Sequence, residues 1–168
     1  MRTISHRRHG ERGSSLIEFG LAFAVMFALF VGIFQWGYSF YIYDHLETSI
    51  RSGARYAAQK TYIPTTTSTA ANPQVLSCWS DAVKNLVVYG DPATTSGTPI
   101  VPNLTTSNIV VQSNTSAGNV VPDSITVKIS TTSPYALDAL FTTVNFSGKP
   151  SVTFPFTGIY ASAATTCQ

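Results

Sequence analysis

The uncharged run from Phe19 to Tyr43 constrains this chain more than any other feature. Its only strongly polar side chains are Gln35 and Ser39. It offers about 25 usable positions, and roughly 20 cross the hydrocarbon core of a bilayer. The alternative is the buried helix of a soluble protein. A chain of 168 residues leaves too little material to cover such a segment on every side. Trp36, Tyr38, Tyr41 and Tyr43 gather at the far end, as amphipathic rings do at a membrane surface. Arg2, Arg7, Arg8 and Arg12 lie on the near side. The positive-inside rule then places the N-terminus in the cytoplasm and residues 44–168 outside.

Charge supports this division. Residues 1–13 hold four Arg and one Glu, so without them the formal charge falls from +2 to −1. The basic character belongs to the leader. Beyond it there is no basic stripe with interleaved aromatics, so no nucleic-acid partner is expected. The leader and apolar run fit a secretory signal, but "QWGYSFYIYD" offers no small-x-small cleavage site, and a cut at "AFA" falls inside the apolar core. The segment is expected to stay as an anchor.

Glu18 stands at the mouth of this run, in "GSSLIEFG". Counted from Ser14 it is the fifth residue, with Phe19 sixth, Gly13 just before, and a short basic leader ahead. This resembles the processing site of the type IV pilin superfamily, in which a membrane-embedded peptidase cuts after a glycine and leaves the apolar helix attached. The match is closer to the tight-adherence (Tad) branch, where an aromatic residue, often Tyr, follows the Glu; here it is Phe19. Downstream, "HLETSIRSGARYAAQ" looks like the segment after the anchor in TadE-like pilus-assembly proteins, with Gly53, Ala54 and Arg55 as its signature. The resemblance implies cleavage between Gly13 and Ser14. It implies a minor pilin or pseudopilin of a Tad pilus, a single-pass protein of the bacterial inner membrane whose outer domain is periplasmic or extracellular. Its partners would be other pilins and pseudopilins, a prepilin peptidase, an inner-membrane platform and a cytoplasmic ATPase motor. A TadG-like protein usually carries a larger added domain than this chain has room for; a TadF-like protein stays open.

The resemblance has a physical rationale. A cut after Gly13 creates an ammonium on Ser14, one helical turn from Glu18 on the same face. An unpaired charge at the centre of a membrane helix costs about 2.5–3.5 kcal/mol on insertion scales, less near the edge. Pairing by Glu18, within its chain or with a neighbour, therefore favours assembly. Otherwise Glu18 is a first-turn acid that complements the helix dipole. Gly20, Ala24, Ala28 and Gly32 recur every fourth residue and make a small-residue ridge on which another backbone can pack closely. Gly and Ala are frequent in membrane helices, which is the competing account of the ridge.

Helical spacing continues from Asp44 to Gln59 through Leu46, Ile50, Ala54 and Ala57, with Glu47 and Arg51 as a favourable i,i+4 pair. One helix of about 46 residues, near 70 Å, is predicted from Ser14. The organisation is thus a leader (1–13), a transmembrane helix (14–43), its amphipathic continuation (44–60) and an extracytoplasmic domain (61–168). Arg55 either contacts that domain or faces water. "TYIPTTTSTAAN" reads as a polar loop. Asn72-Pro73 reads as the start of a second helix, in which Val75, Leu76, Trp79, Ala82, Val83, Leu86 and Val87 keep helical spacing up to Gly90, with Trp79 in the core. "NIVVQS" and "DSITVKIST" are strands. "SPYALDALF" reads as a helical turn. "PSVTFPFTGIYAS" is a last strand interrupted at Pro155, which suggests an edge or a bulge. The fold class is α+β: a long N-terminal transmembrane helix running into a small pilin-like domain with a short antiparallel sheet.

Catalytic chemistry finds little material. Beyond the leader His45 is the sole histidine, placed at the membrane interface, so a Ser–His–Asp triad has no other base to recruit. Asp81, Asp91, Asp123 and Asp138 are scattered, and no phosphate loop or dinucleotide fingerprint occurs. No enzyme activity, metal or cofactor is expected. Cys78 and Cys167 both fall on the outer side, where disulfides persist. A bridge between them closes a loop of about 90 residues, worth roughly 4 kcal/mol in the chain-entropy model; the alternative is two free buried thiols. The bridge is expected, because Cys167 has little core to enter. Apart from the pilin reading, the chain also fits an unprocessed bitopic protein whose outer domain binds a ligand.

Overall fold

The computed structural model describes residues 11–65, 77–117, 119–139 and 142–161, with side chains from Ser15 onward. It divides into two compact units between Tyr38 and Ser39. The first helix, α1 (Glu11–Gln59), contributes to both and is taken in two parts. It begins three residues before Ser14, so Gly13 lies within helical backbone. The leader residues 1–10 lie outside the described residues.

In the first unit every residue from Ser15 to Phe30 is exposed. One window of α1 is long and apolar enough to cross a membrane, and none of it is buried within the chain. Such a surface is stable against lipid or other helices, not against water. Phe19, Phe23 and Phe27 stack down one side at i,i+4, with ring centroids 6.3 and 6.2 Å apart.

In the second unit the same helix turns amphipathic. Ile42, Leu46, Ile50, Gly53, Ala54 and Ala57 are buried at three- and four-residue steps, while Thr48, Arg51, Ser52, Arg55 and Gln59 are exposed. The apolar stripe packs into a core shared with α2 (Ser77–Tyr89), which contributes Trp79, Val83, Val87 and Val88. Trp79 is buried, as its spacing implied. The proposed cap Asn72-Pro73 lies outside the described residues. At the other end α2 stops where Gly90 takes φ +80° and returns its N–H to Leu86 O at 2.9 Å, a left-handed cap that glycine adopts without a Cβ penalty.

Three antiparallel strands complete this core in the order β1 (Ile109–Asn114), β2 (Ser124–Ile129), β5 (Ser151–Pro155). Register places Val111 opposite Val127 and Val127 opposite Val152, so the apolar alternation of β2 is continued on both neighbours. On the other face Thr126 Oγ1 lies 2.7 Å from Thr153 Oγ1 and accepts Asn114 Nδ2 at 2.8 Å. β5 is an edge and ends at Pro155, the position whose proline argued for one.

One sequence expectation is corrected. "SPYALDALF" does not form a helical turn: Tyr135–Asp138 is a strand, β3, paired with β4 (Thr143–Phe146) as a separate two-stranded sheet. Ala, Leu and Asp carry no strand preference, but Tyr135 and Leu137 alternate into the core with Ala136 and Asp138 outside, and this period-two burial outweighs propensity. Tyr135 also stacks on Phe146 at 6.0 Å and donates its hydroxyl to Pro102 O at 2.7 Å. Phe146 in turn meets Tyr43 of α1 at 5.7 Å. The expected polar loop after α1 is described only through Thr65, the rest lying outside the described residues, and within it Tyr62 is fully buried. Its backbone bridges the end of the chain, through Tyr62 N to Ile159 O (2.8 Å) and Ala161 N to Tyr62 O (3.0 Å). Its ring sits edge-on to Trp79 and Phe156, and its hydroxyl donates to Ser113 Oγ at 3.2 Å. Burial raises the Tyr62 phenol above its usual pKa of 10.0, against the opposing bond to Ser113.

Candidate assembly site

The first set of candidate residues lies on the lipid-type half of α1. Gly13 and Ser14 belong to its first turns, and Glu18 and Phe19 are exposed one turn on. The structure describes no side chain at Ser14, so the expected pairing with Glu18 rests on their one-turn separation alone. Gly20, Ala24 and Ala28 are exposed and Gly32 is half-buried. A Cβ built on Gly20, Gly32 or Gly37 would meet nothing within 4 Å. Nothing within the described chain requires glycine there.

Gly53, the first member of the downstream signature, has the opposite setting. A Cβ there would collide with Val87 Cγ2 of α2, and Val83 O is only 3.7 Å away. Glycine at this point is what lets the two helices close. Ala54 beside it is fully buried. Arg55 points away from the core and is exposed. The triplet is therefore two packing residues followed by one free charge. The sequence alone does not give the reason for glycine at 53, because the partner Val87 lies 34 residues further on.

Around Arg55 the outer face of α1 forms a shallow groove of about 380 Å³, lined by Thr48, Arg51, Ser52, Arg55, Tyr56 and Gln59. Arg51 Nη2 holds Glu47 Oε1 at 2.6 Å, the predicted i,i+4 pair. Lys60 Nζ lies 5.5 Å from the centre of the Tyr56 ring, within cation–π range. His45 packs on Tyr41, ring centroids 4.4 Å apart.

The remaining candidates do not converge. Asp81 pairs with Lys84 at 3.6 Å. Asp91 closes its own turn through Ala93 N and Thr94 Oγ1, each at 2.9 Å, and these two bonds hold its carboxyl below the usual range. Asp123 fastens the β1–β2 loop through Ser116 N at 2.7 Å, and Asp138 accepts Thr143 Oγ1 at 3.1 Å. Each acid serves local structure. Among the described residues no three His, Cys, Asp or Glu side chains lie close enough to hold a metal ion. Cys78 is half-buried on α2, and no described cysteine is free; Cys167 lies outside the described residues.

No curated protein and no solved structure matches the chain. A family match does exist. The family described as TadE-like protein matches residues 13–55, about a quarter of the chain. The match opens on the glycine expected before the cut and closes on the exposed arginine of the signature. Over residues 13–55, therefore, this chain carries a TadE-like segment.

Proposed function

We propose that the protein is a minor pilin or pseudopilin of a Tad pilus, matured by a prepilin peptidase between Gly13 and Ser14. The observation that carries this reading is the TadE-like match from Gly13 to Arg55, which takes in both motifs and the anchor between them. The open side of the anchor supports it. Gly20, Ala24 and Ala28 are exposed, a side chain added at Gly20 or Gly32 would meet nothing within 4 Å, and these four are the residues on which a neighbouring pilin helix can pack. Maturation leaves an ammonium on Ser14, and Glu18 supplies its counter-charge as the N-termini are drawn together. The N-terminus faces the cytoplasm and residues 44–168 lie outside. There, a Cys78–Cys167 bridge ties the end of the chain to α2. Other pilins and pseudopilins, the peptidase and the inner-membrane platform are the partners.

Co-expression with a prepilin peptidase, followed by mass spectrometry of the N-terminus, tests the reading. A Ser14 start is expected, and Gly13 replaced by a bulky residue should abolish it. A chain that keeps Arg2 in the presence of active peptidase defeats the proposal and leaves an unprocessed anchored binding protein. Glu18→Ala should still insert and be cut, since removing a charge makes the span more apolar, yet lose crosslinking to other pilins.

A further inference from the structure

Residues 44–168 hold six basic side chains, and three of them, Arg51, Arg55 and Lys60, fall close together on α1 with no acid between Thr48 and Lys60. These cations are not equally committed. Arg51 holds Glu47 at 2.6 Å. Lys60 lies over the ring of Tyr56. Arg55 is exposed and makes no hydrogen bond or ion pair to any described residue. Gly53 packs on α2 and Ala54 is fully buried, so the core itself turns the arginine that follows outward. The groove beneath it is otherwise uncharged apart from Arg51. Thr48, Ser52 and Gln59 offer hydroxyl and amide groups, and Tyr56 offers a half-buried ring. Ser52 Oγ spends its hydrogen on Ser49 O at 2.8 Å and keeps its lone pairs. The volume of about 380 Å³ falls within the roughly 300–1,000 Å³ of ligand clefts.

We propose that this groove binds acidic glycans through a uronic acid unit. The planar fork of Arg55 matches a carboxylate with two parallel hydrogen bonds. The apolar C–H face of a pyranose ring packs on Tyr56, as guests do on the aromatic walls of ligand sites. Sugar hydroxyls donate and accept, so they pair with Thr48, with Gln59 and with the lone pairs left on Ser52. Glu47, held beside the groove by Arg51, sets the direction, because it repels the sugar carboxylate and leaves it to Arg55. An acidic peptide fits less well. Each further carboxylate needs a further free cation, and Arg51 is already taken. Lipid head groups are out of reach, since Arg55 stands twelve residues beyond Tyr43, about 18 Å along the helix. The site belongs to the outer unit and is the same whether or not the chain is cut at Ser14.

Ligand-observed NMR titration of the full-length chain in a non-ionic detergent tests this. The probes are the galacturonic acid trimer, the neutral galactose trimer, a hexaglutamate peptide and inorganic phosphate. The acidic trimer is expected to bind saturably and several-fold tighter than the other three. Arg55→Gln should bring its affinity down to that of the neutral trimer, and Arg55→Lys should keep only part, since an ammonium lacks the fork. Tyr56→Leu should weaken both trimers, because it removes the ring and no charge. Gln59→Glu should weaken the acidic trimer several-fold and leave the neutral one unchanged, which decides the matter even if an Arg55 variant folds poorly. Lys149→Gln, at an exposed lysine just before β5, should change neither. Thermal unfolding like the parent's certifies each variant. No saturable binding, equal affinity for the neutral trimer, or an affinity that Gln59→Glu and a folded Arg55→Gln both leave unmoved would each overturn the proposal. So would hexaglutamate or phosphate binding as tightly as the acidic trimer, which would make the groove a site for acidic peptides or for anions in general.

Discussion

Two halves of one helix use glycine in opposite ways. In the anchor, Gly20 and Gly32 leave open surface, and a side chain added there meets nothing. Beyond the membrane interface, Gly53 leaves a gap that Val87 already fills. Both halves share the same apparent grammar of small residues at four-residue spacing. The difference lies in what comes near. The anchor's glycines face open space, and the outer half spends its glycine on α2.

The sharpest way to break this contrast is to truncate an aromatic in each half. Tyr62→Ala should destabilise the outer unit by about 3–5 kcal/mol, as large-to-small changes in cores do. Phe23→Ala, on the exposed ladder, should leave that unit's unfolding unchanged. Denaturant unfolding of the full chain in detergent, with Trp36 replaced by Phe so that Trp79 alone reports by fluorescence, measures both. Equal losses would mean that the halves are not energetically distinct. Tyr62 adds a pH signature. Its phenol is raised when folded, so the stability linked to it is fully present below pH 10 and declines as pH rises from there through the folded value. Tyr62→Phe should remove that part of the alkaline loss.

Adding one methyl group tests the glycines directly. Gly53→Ala should cost about 1–3 kcal/mol through overpacking against Val87. Gly32→Ala should cost the outer unit nothing, while weakening any contact made through the ridge. Thermal unfolding of the outer unit gives the first value and crosslinking between copies the second. A Gly53→Ala chain as stable as the parent would show that α2 can step aside.

Surface charge should matter least. Glu47→Ala removes one exposed i,i+4 pair and should cost only about 0.3–0.5 kcal/mol, less at high salt. Unfolding at low and high ionic strength checks this. Asp91→Asn is expected to have a still smaller effect, confined to one turn. The folded carboxyl of Asp91 is lowered from 3.8, so its contribution is present above that pH and fades as pH falls through the folded value. An Asp91→Asn chain should therefore lose slightly less stability on acidification than the parent.

What was legible in advance follows from the range of each interaction. The anchor, the amphipathic continuation, the Glu47–Arg51 pair and the strands β1 and β2 all rest on residues within a few positions of one another. Transfer of a side chain to lipid, or burial of one helix face, depends on local composition and period. The sequence by itself therefore determined that the chain has an apolar anchor, that its charges divide around it, and that TadE-like motifs flank that anchor. It did not determine that "YALD" is a strand, because its partner Thr143–Phe146 carries no strong signal of its own. It did not show that Tyr62 closes the core, because its neighbours Ser113, Phe156 and Tyr160 lie 51 to 98 residues away. Nor could it tell the glycine that must be glycine for α2 from the glycines left open in the anchor. Those were decided only by tertiary structure, since a close approach is a property of two segments, and its cost is set by the atom that arrives from the other one.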